Sequence, residues 1–370
     1  MFRRKLFYFL FLYLLGNSYW NYAHKPGFDW LEYEKMLQIS IQAFQPQENE
    51  EVLNALEYDW IFSSNEGPMA NLFKVYRAKN QKNAVFSFRG TTDGAGSWMQ
   101  NMYAAMIPAT GSIELEKGKQ MYYQFAENED AALHAGWTMG FISLLPEIRE
   151  QLDILIQDNI KDIYITGHSQ GGALAHIMTA WLHYQEEYSN FSVKTYASAS
   201  PKPGNYYFST DYYDKTQNGY SFNVSNVMDW VPQSFLTTQN IEDIVKPNFF
   251  TYFKEQAEKE KFIKRIVNKF LYAKMNKVGA KAVKKYKKYS GEYMYKRMKE
   301  FFPHFVAPDF VFSFDYHDCG PQIKMTPPEE YFIEFKNASN EEFMYHHHAD
   351  KYFWLVDYYK KRYSLEYNEE

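Results

Sequence analysis

Apolar residues recur with two different periods along this chain. Over residues 28–44, and again over 133–155, they return at helical spacing and predict two amphipathic helices. The stretch "NLFKVYRAKNQKNAVFSFRGTT" (71–92) reads instead as two short strands joined by a polar turn. "KDIYITG" is a strand. It runs straight into "GGALAHIMTAWLHYQEE", a helix whose Gly172, Ala173 and Ala175 permit close packing on a sheet. "FSVKTYASAS" (191–200) is another β-rich run, closed by "PKPGN", and "GYSFNVSNVMDWVP" (219–232) adds a strand with an acidic residue at its end. Strands alternating with long helices predict an α/β fold, a mostly parallel central sheet with helices on both faces.

One stretch breaks this rhythm. Residues 251–300 hold 16 Lys/Arg against 5 Asp/Glu, with apolar positions at Phe262, Ile263, Ile266, Val267, Phe270 and Leu271 spaced as in an amphipathic helix. This predicts a basic helical insertion at about 240–305. Its net +11 sits in a chain of −5, so the remainder carries −16. The expectation is peripheral contact with an anionic lipid surface, and the alternative is a solvated helical pair packed on the core.

The N-terminus has its own signal. Arg3, Arg4 and Lys5 precede an apolar run from Leu6 to Leu15, within the length of a secretory h-region and short of the roughly 20 residues that span a bilayer. Gly16 and Ser18 are small residues suited to cleavage after Ser18. The segment 1–18 is therefore expected to direct export, as a signal peptide or as an uncleaved anchor, ahead of a single domain over 19–370. The composition is 46% hydrophobic and 19% aromatic, which excludes a disordered chain. A single cysteine, Cys319, excludes an intrachain disulfide framework.

Candidate chemistry centres on Ser169, between Gly167 and Gly171 where an apolar strand gives way to a helix. A nucleophile on so sharp a turn leaves no room for large neighbours. The turn presents its hydroxyl above the helix N-terminus, where free N–H groups favour a developing oxyanion. A serine needs a base, and the base an orienting acid, in the chain order serine, acid, histidine. Asp229 ends a later strand and fits the acid, against the alternative of a loop-capping aspartate. Asp211 and Asp214 lie in a Tyr-rich segment that reads as a turn and fit less well. His304, His317, His346, His347 and His348 follow at a distance.

Five separated motifs resemble those of the class 3 lipases of the α/β-hydrolase superfamily. They are "FSFRGTT" with the later "SWMQN", "HAGW", "GHSQGGALA", "SASPKPGN" and "NVMDWVP", together covering about 71–232. The resemblance implies Ser169 as nucleophile, Asp229 as orienting acid, and Thr91 and Gln170 as oxyanion donors. His134 and His168 would be structural or site-lining, and Arg89 a structural cation paired with a carboxylate. In "HHHADKYFW" the family's spacing to Tyr352 favours His347 as base, with His348 as the alternative. His317 resembles a strand residue that precedes the base. The gap from Asp229 to these histidines is longer than the family's, because the basic insertion lies within it.

The activity so implied is a serine carboxylester hydrolase, a lipase acting on acylglycerols. Phospholipase A1 and small-ester or feruloyl esterase activity are alternatives on the same motifs. A catalytically silent lipase-like interaction module is an alternative of another class. The chemistry requires no metal and no organic cofactor, and the reading includes no nucleic-acid partner. Three adjacent histidines cannot present three ligands from one helical face.

Overall fold

The computed structural model describes residues 24–366 apart from 81, 251–254, 256–261 and 337–341. The expected leader lies outside the described residues. Helix α1 (Trp30–Gln42) starts where the Asp29 carboxylate accepts from the amides of Leu31 and Glu32, satisfying donors that have no partner within the helix. Helix α2 (Glu50–Leu56) and strand β1 (Tyr58–Ser63) follow, and then the expected hairpin, β2 (Phe73–Ala78) against β3 (Asn83–Phe88).

Beyond β3 come helix α3 (Ala95–Met102), β4 (Met106–Pro108), a second hairpin of β5 (Thr110–Glu116) with β6 (Lys119–Gln124), and β7 (Ala132–His134). The rest alternates. Helix α4 (Ala135–Gln157), β8 (Asp162–His168), α5 (Gln170–Leu182), β9 (Ser192–Ser198), β10 (Gly204–Asn205), α6 (Tyr206–Thr216) and β11 (Ser221–Asn226) lead to the insertion. There, α7 (Phe262–Tyr286) passes through a π-helical turn, Lys287–Tyr293, into α8 (Met294–Met298). The chain closes with β12 (Tyr316–His317), β13 (Gln322–Met325), α9 (Glu329–Glu334) and α10 (Ala349–Glu366).

Seven strands form the main sheet in the order β1-β2-β3-β8-β9-β11-β13. The first three are antiparallel, and from β3 to β13 all neighbours are parallel. One face is covered by α1 and α10 through Tyr33, Met36, Leu37, Tyr352 and Leu355. The other is covered by α4 and α5 through Ile142, Ile148, Leu152, Leu174 and Ile177. With both faces covered, β8 is buried along its whole length. This is the expected α/β fold, a mostly parallel central sheet with helices on both faces. A small sheet, β12-β10-β7-β4, joins the chain after β9 to the segment that follows α8.

Two stretches depart from the sequence pattern. The Tyr-rich segment that reads as a turn is helix α6, capped by Asn205. Its residues are poor helix formers, but Phe208, Tyr212 and Thr216 fall on one buried face. Burial of a large apolar side chain, worth about 2 kcal/mol, outweighs propensity differences of a few tenths. The region 103–131, over which the sequence pattern places no element, holds β4 and the β5–β6 hairpin, and the short helix after the 88–92 loop is α3.

Candidate active site

Ser169 sits where β8 turns into α5, with φ 63° and ψ −132°, a left-handed conformation strained for a side-chain-bearing residue. Its amide donates to the Ser198 carbonyl of β9 at 2.9 Å and its carbonyl accepts from Gly172, so the strain is held from both sides. A Cβ on Gly171 would stand 2.2 Å from the Phe88 carbonyl oxygen. Only glycine lets the helix start this close to β3. A Cβ on Gly90 would lie 3.2 Å from that of Ser169, so the Arg89–Thr91 loop runs directly over the serine. The first amides of α5 have no partner within the helix, which leaves the Gln170 N–H beside Ser169 as a donor.

The chain brings Asp229 and His347 together across 118 residues. His347 Nδ1 lies 2.7 Å from Asp229 Oδ2, and both side chains are buried. Asp229 accepts twice more, from the Tyr352 hydroxyl at 2.8 Å on Oδ2 and from the Val231 amide at 2.9 Å on Oδ1. Burial alone would raise its pKa. The hydrogen bonds and charge of His347, with the Val231 and Tyr352 donors, outweigh this and lower it. With Nδ1–H committed to the carboxylate, the His347 Nε2 carries the lone pair. That atom is buried and has no hydrogen-bond partner among the described residues.

The neighbours of His347 face elsewhere. His346 Nδ1 meets the Tyr331 hydroxyl at 2.8 Å, and His348 pairs with Glu342 at the surface at 3.3 Å. His168, the residue before Ser169, ties the two halves of the site. Its Nε2–H donates to the His347 carbonyl at 2.9 Å, while Nδ1 accepts from Ser198 Oγ at 3.2 Å. Burial, then the nearby His347, push its pKa down to about 3, so it is a neutral strut. His134 is also buried, with its pKa pushed down to about 3. It caps α4 by accepting from the Trp137 amide, stacks on the Trp137 ring at 3.8 Å, and donates to the Asn101 carbonyl.

Asn101, on α3, is a junction that sequence reasoning missed. Its Nδ2 donates to Thr91 Oγ1 at 2.9 Å, and its Oδ1 accepts from Gln170 Nε2 at 2.8 Å and from Trp137 Nε1 at 2.9 Å. Three of the five motifs therefore meet on one amide side chain. The signal was present as the spacing of Trp98 and Asn101 in "SWMQN", without any indication of what the asparagine would hold.

Residues 85–239 match the class 3 lipase family. Ser169, Thr91, Gln170 and Asp229 fall inside the matched span, and His347 lies beyond it. Among solved structures, a lipase from Rhizopus microsporus var. chinensis is 20% identical, with 56% of this chain covering 69% of that one at a TM-score of 0.41. The Rhizomucor miehei triacylglyceride lipase is 18% identical, covering 55% and 73% at 0.41. The Lip2 lipase of Yarrowia lipolytica is 16% identical, covering 55% and 71% at 0.43. No curated protein sequence matches the chain.

Around the segment that matches the class 3 lipase family the surface is apolar. Trp98 and Met102 of α3, Met228 and Trp230 beside Asp229, and Phe343 ahead of His347 are all exposed. Trp230 donates to the Phe343 carbonyl at 2.7 Å, and the Phe343 ring lies 6.4 Å from Trp98 and 6.1 Å from Trp230. Other sequence candidates lie apart from these contacts. Asp211 accepts from the Glu127 amide and Tyr184, Asp214 from Gln217, and His317 pairs with Asp315 at 3.1 Å. His304 lines a separate groove of about 680 Å³ between the β5–β6 hairpin and α4. The carboxylate expected beside Arg89 is Glu66, at 2.9 Å.

Proposed function

We propose that the chain is a serine carboxylester hydrolase that acts as a lipase on acylglycerols, with Ser169, His347 and Asp229 as its catalytic residues. The observation that carries this reading is the buried Asp229–His347 pair, whose free Nε2 belongs to a residue held in place by the neighbour of Ser169. His347 Nε2 takes the Ser169 proton as Oγ attacks the ester carbonyl. The tetrahedral oxyanion is held by donors on Thr91 and Gln170. The alcohol leaves with the proton from His347, giving an acyl-enzyme. Water then attacks the acyl carbon, passing a proton to His347, and the carboxylic acid departs as that proton returns to Ser169.

The choice of a lipid ester rests on the exposed rim of Trp98, Met102, Met228, Trp230 and Phe343, which suits an apolar acyl substrate better than a small polar one. Export rests on the charged and apolar pattern of residues 3–15. Among the described residues, no helix is long and apolar enough to cross a membrane. A fluorophosphonate probe tests the chemistry, since only an activated serine reacts. Labelling should occur in the native protein and vanish in Ser169→Ala. A panel of tributyrin, long-chain triglyceride and phosphatidylcholine then sets acylglycerol against phospholipid. Unchanged labelling of folded Ser169→Ala would remove Ser169 from the mechanism.

A further inference from the structure

Lys277, Lys281, Lys284 and Lys288 are spaced by four, three and four residues, so they rise along one side of α7 and into the π turn over about 16 Å. All four are exposed, as are Lys274 and Lys285 beside them. None of the six is ion-paired with a carboxylate among the described residues. The sequence also offers few local partners: no Asp or Glu occurs from Lys261 to Gly291, and Glu292, four residues beyond Lys288, is the first carboxylate after the row. Like charges one turn apart oppose helix formation by about 0.2–0.5 kcal/mol per pair, so this row is a cost to folding that no carboxylate among the described residues offsets.

The opposite side of the same segment is built into the molecule. Val283 is buried, and Tyr286 stacks on Phe314 at 4.3 Å. Gly279 lies against the backbone of Gln239 and Asn240. In the π turn the Ser290 carbonyl accepts from the Ala105 amide at 3.1 Å, next to β4. Lys287 differs from the lysines around it. It is half-buried, and its Nζ donates to the Phe310 carbonyl at 2.8 Å. The segment is thus a fixed edge of the enzyme whose outer side carries a continuous row of cations.

We propose that this lysine row docks the protein on an anionic phospholipid bilayer. Charge complementarity gives the sign of the partner. The exposed apolar and aromatic residues next to the row, Phe270 at 59%, Val278 at 76% and Tyr289 at 61% exposure, favour a surface into which side chains can dip over a hydrated polyanion. The choice of lipid also rests on the proposed ester hydrolysis, since an acylglycerol substrate is met at such a surface. Each lysine near an anionic bilayer strengthens binding by a factor of about five.

The test is sedimentation of the full chain with vesicles of phosphatidylcholine, with and without phosphatidylserine. Binding should require phosphatidylserine and disappear in 1 M salt, where the Debye length is about 3 Å. The variant K277E/K281E/K284E/K288E should bind at least about 100-fold more weakly, with hydrolysis of a soluble short-chain ester unchanged. Equal, salt-insensitive binding to both vesicles would overturn the proposal, as would a folded variant that binds like the native chain. Tighter retention on duplex DNA than on the vesicles would overturn the choice of lipid. If no ester is hydrolysed by either protein, the catalytic reading fails separately. The vesicle result still stands, with the melting temperature of the variant as its fold control.

Discussion

Asp229 accepts from His347, Tyr352 and the Val231 amide, and this crowding makes the candidate base testable residue by residue. His347→Ala should lower ester hydrolysis by several orders of magnitude, because no other described histidine bonds to Asp229. His346→Ala and His348→Ala should change kcat only a few-fold, since their rings bond to Tyr331 and Glu342. A larger loss at His348 than at His347 would move the base by one residue. Asn101 separates positioning from stability. Asn101→Ala strands the buried donors of Trp137 and Gln170 and should cost about 1–3 kcal/mol in denaturant unfolding. Asn101→Asp keeps both acceptor contacts and loses the Nδ2 donor to Thr91, so kcat should fall in a protein of smaller stability loss. Equal kcat in Asn101→Asp and the native protein would make the junction purely structural.

The relevant contact between elements is the approach of α5 to β3, closed by Gly171. A methyl group there would overlap the Phe88 carbonyl, which is backbone and cannot swing away. Gly171→Ala should therefore destabilise by about 3 kcal/mol or more, read as a lowered melting temperature or loss of soluble protein. Native-like melting would show that α5 can slide. The expected hairpin of β2 with β3, helices α1 and α4, and strands β8, β9 and β11 all form where the apolar period places them. Helix α6 does not announce itself, because its helicity comes from the buried side of Phe208 and Tyr212 rather than from its residues' preferences.

At the scale of the whole molecule, buried neutral histidines couple stability to acidity. Burial pushes His134, His168 and His176 each down to about 3 from an ordinary value of 6.5. The unfolded chain binds protons on these rings below about pH 6.5 and the folded chain does not, so unfolding takes up protons. Their contribution is fully present above about pH 6.5 and is lost as pH falls from there toward about 3. Each histidine contributes up to about 1.4 kcal/mol per pH unit, and three together about 4 kcal/mol per unit in the steep part. The lowered Asp229 adds to this only below its unfolded value of about 3.8. Urea unfolding at pH 7.5 and pH 5 should show a marked loss at the lower pH. An unfolding free energy that does not change between the two would contradict neutral burial.

The sequence by itself determined the elements and the local chemistry. The glycines about Ser169 and the acid closing "NVMDWVP" are readable because a strained turn and a strand end impose residue types on immediate neighbours. The cationic excess of residues 251–300 is likewise a property of composition. Tertiary structure alone decided which charges and rings meet. Within "HHH" the resemblance favours His347 over His348 by its spacing to Tyr352, but the contacts themselves come only from the path of the chain, which turns His347 to Asp229, His346 to Tyr331 and His348 to Glu342. The same holds for Asn101 and for Lys287, which face inward while Lys284 and Lys288 face water. Spacing along a chain fixes the face of an element, whereas the partner on that face is set by segments a hundred residues away.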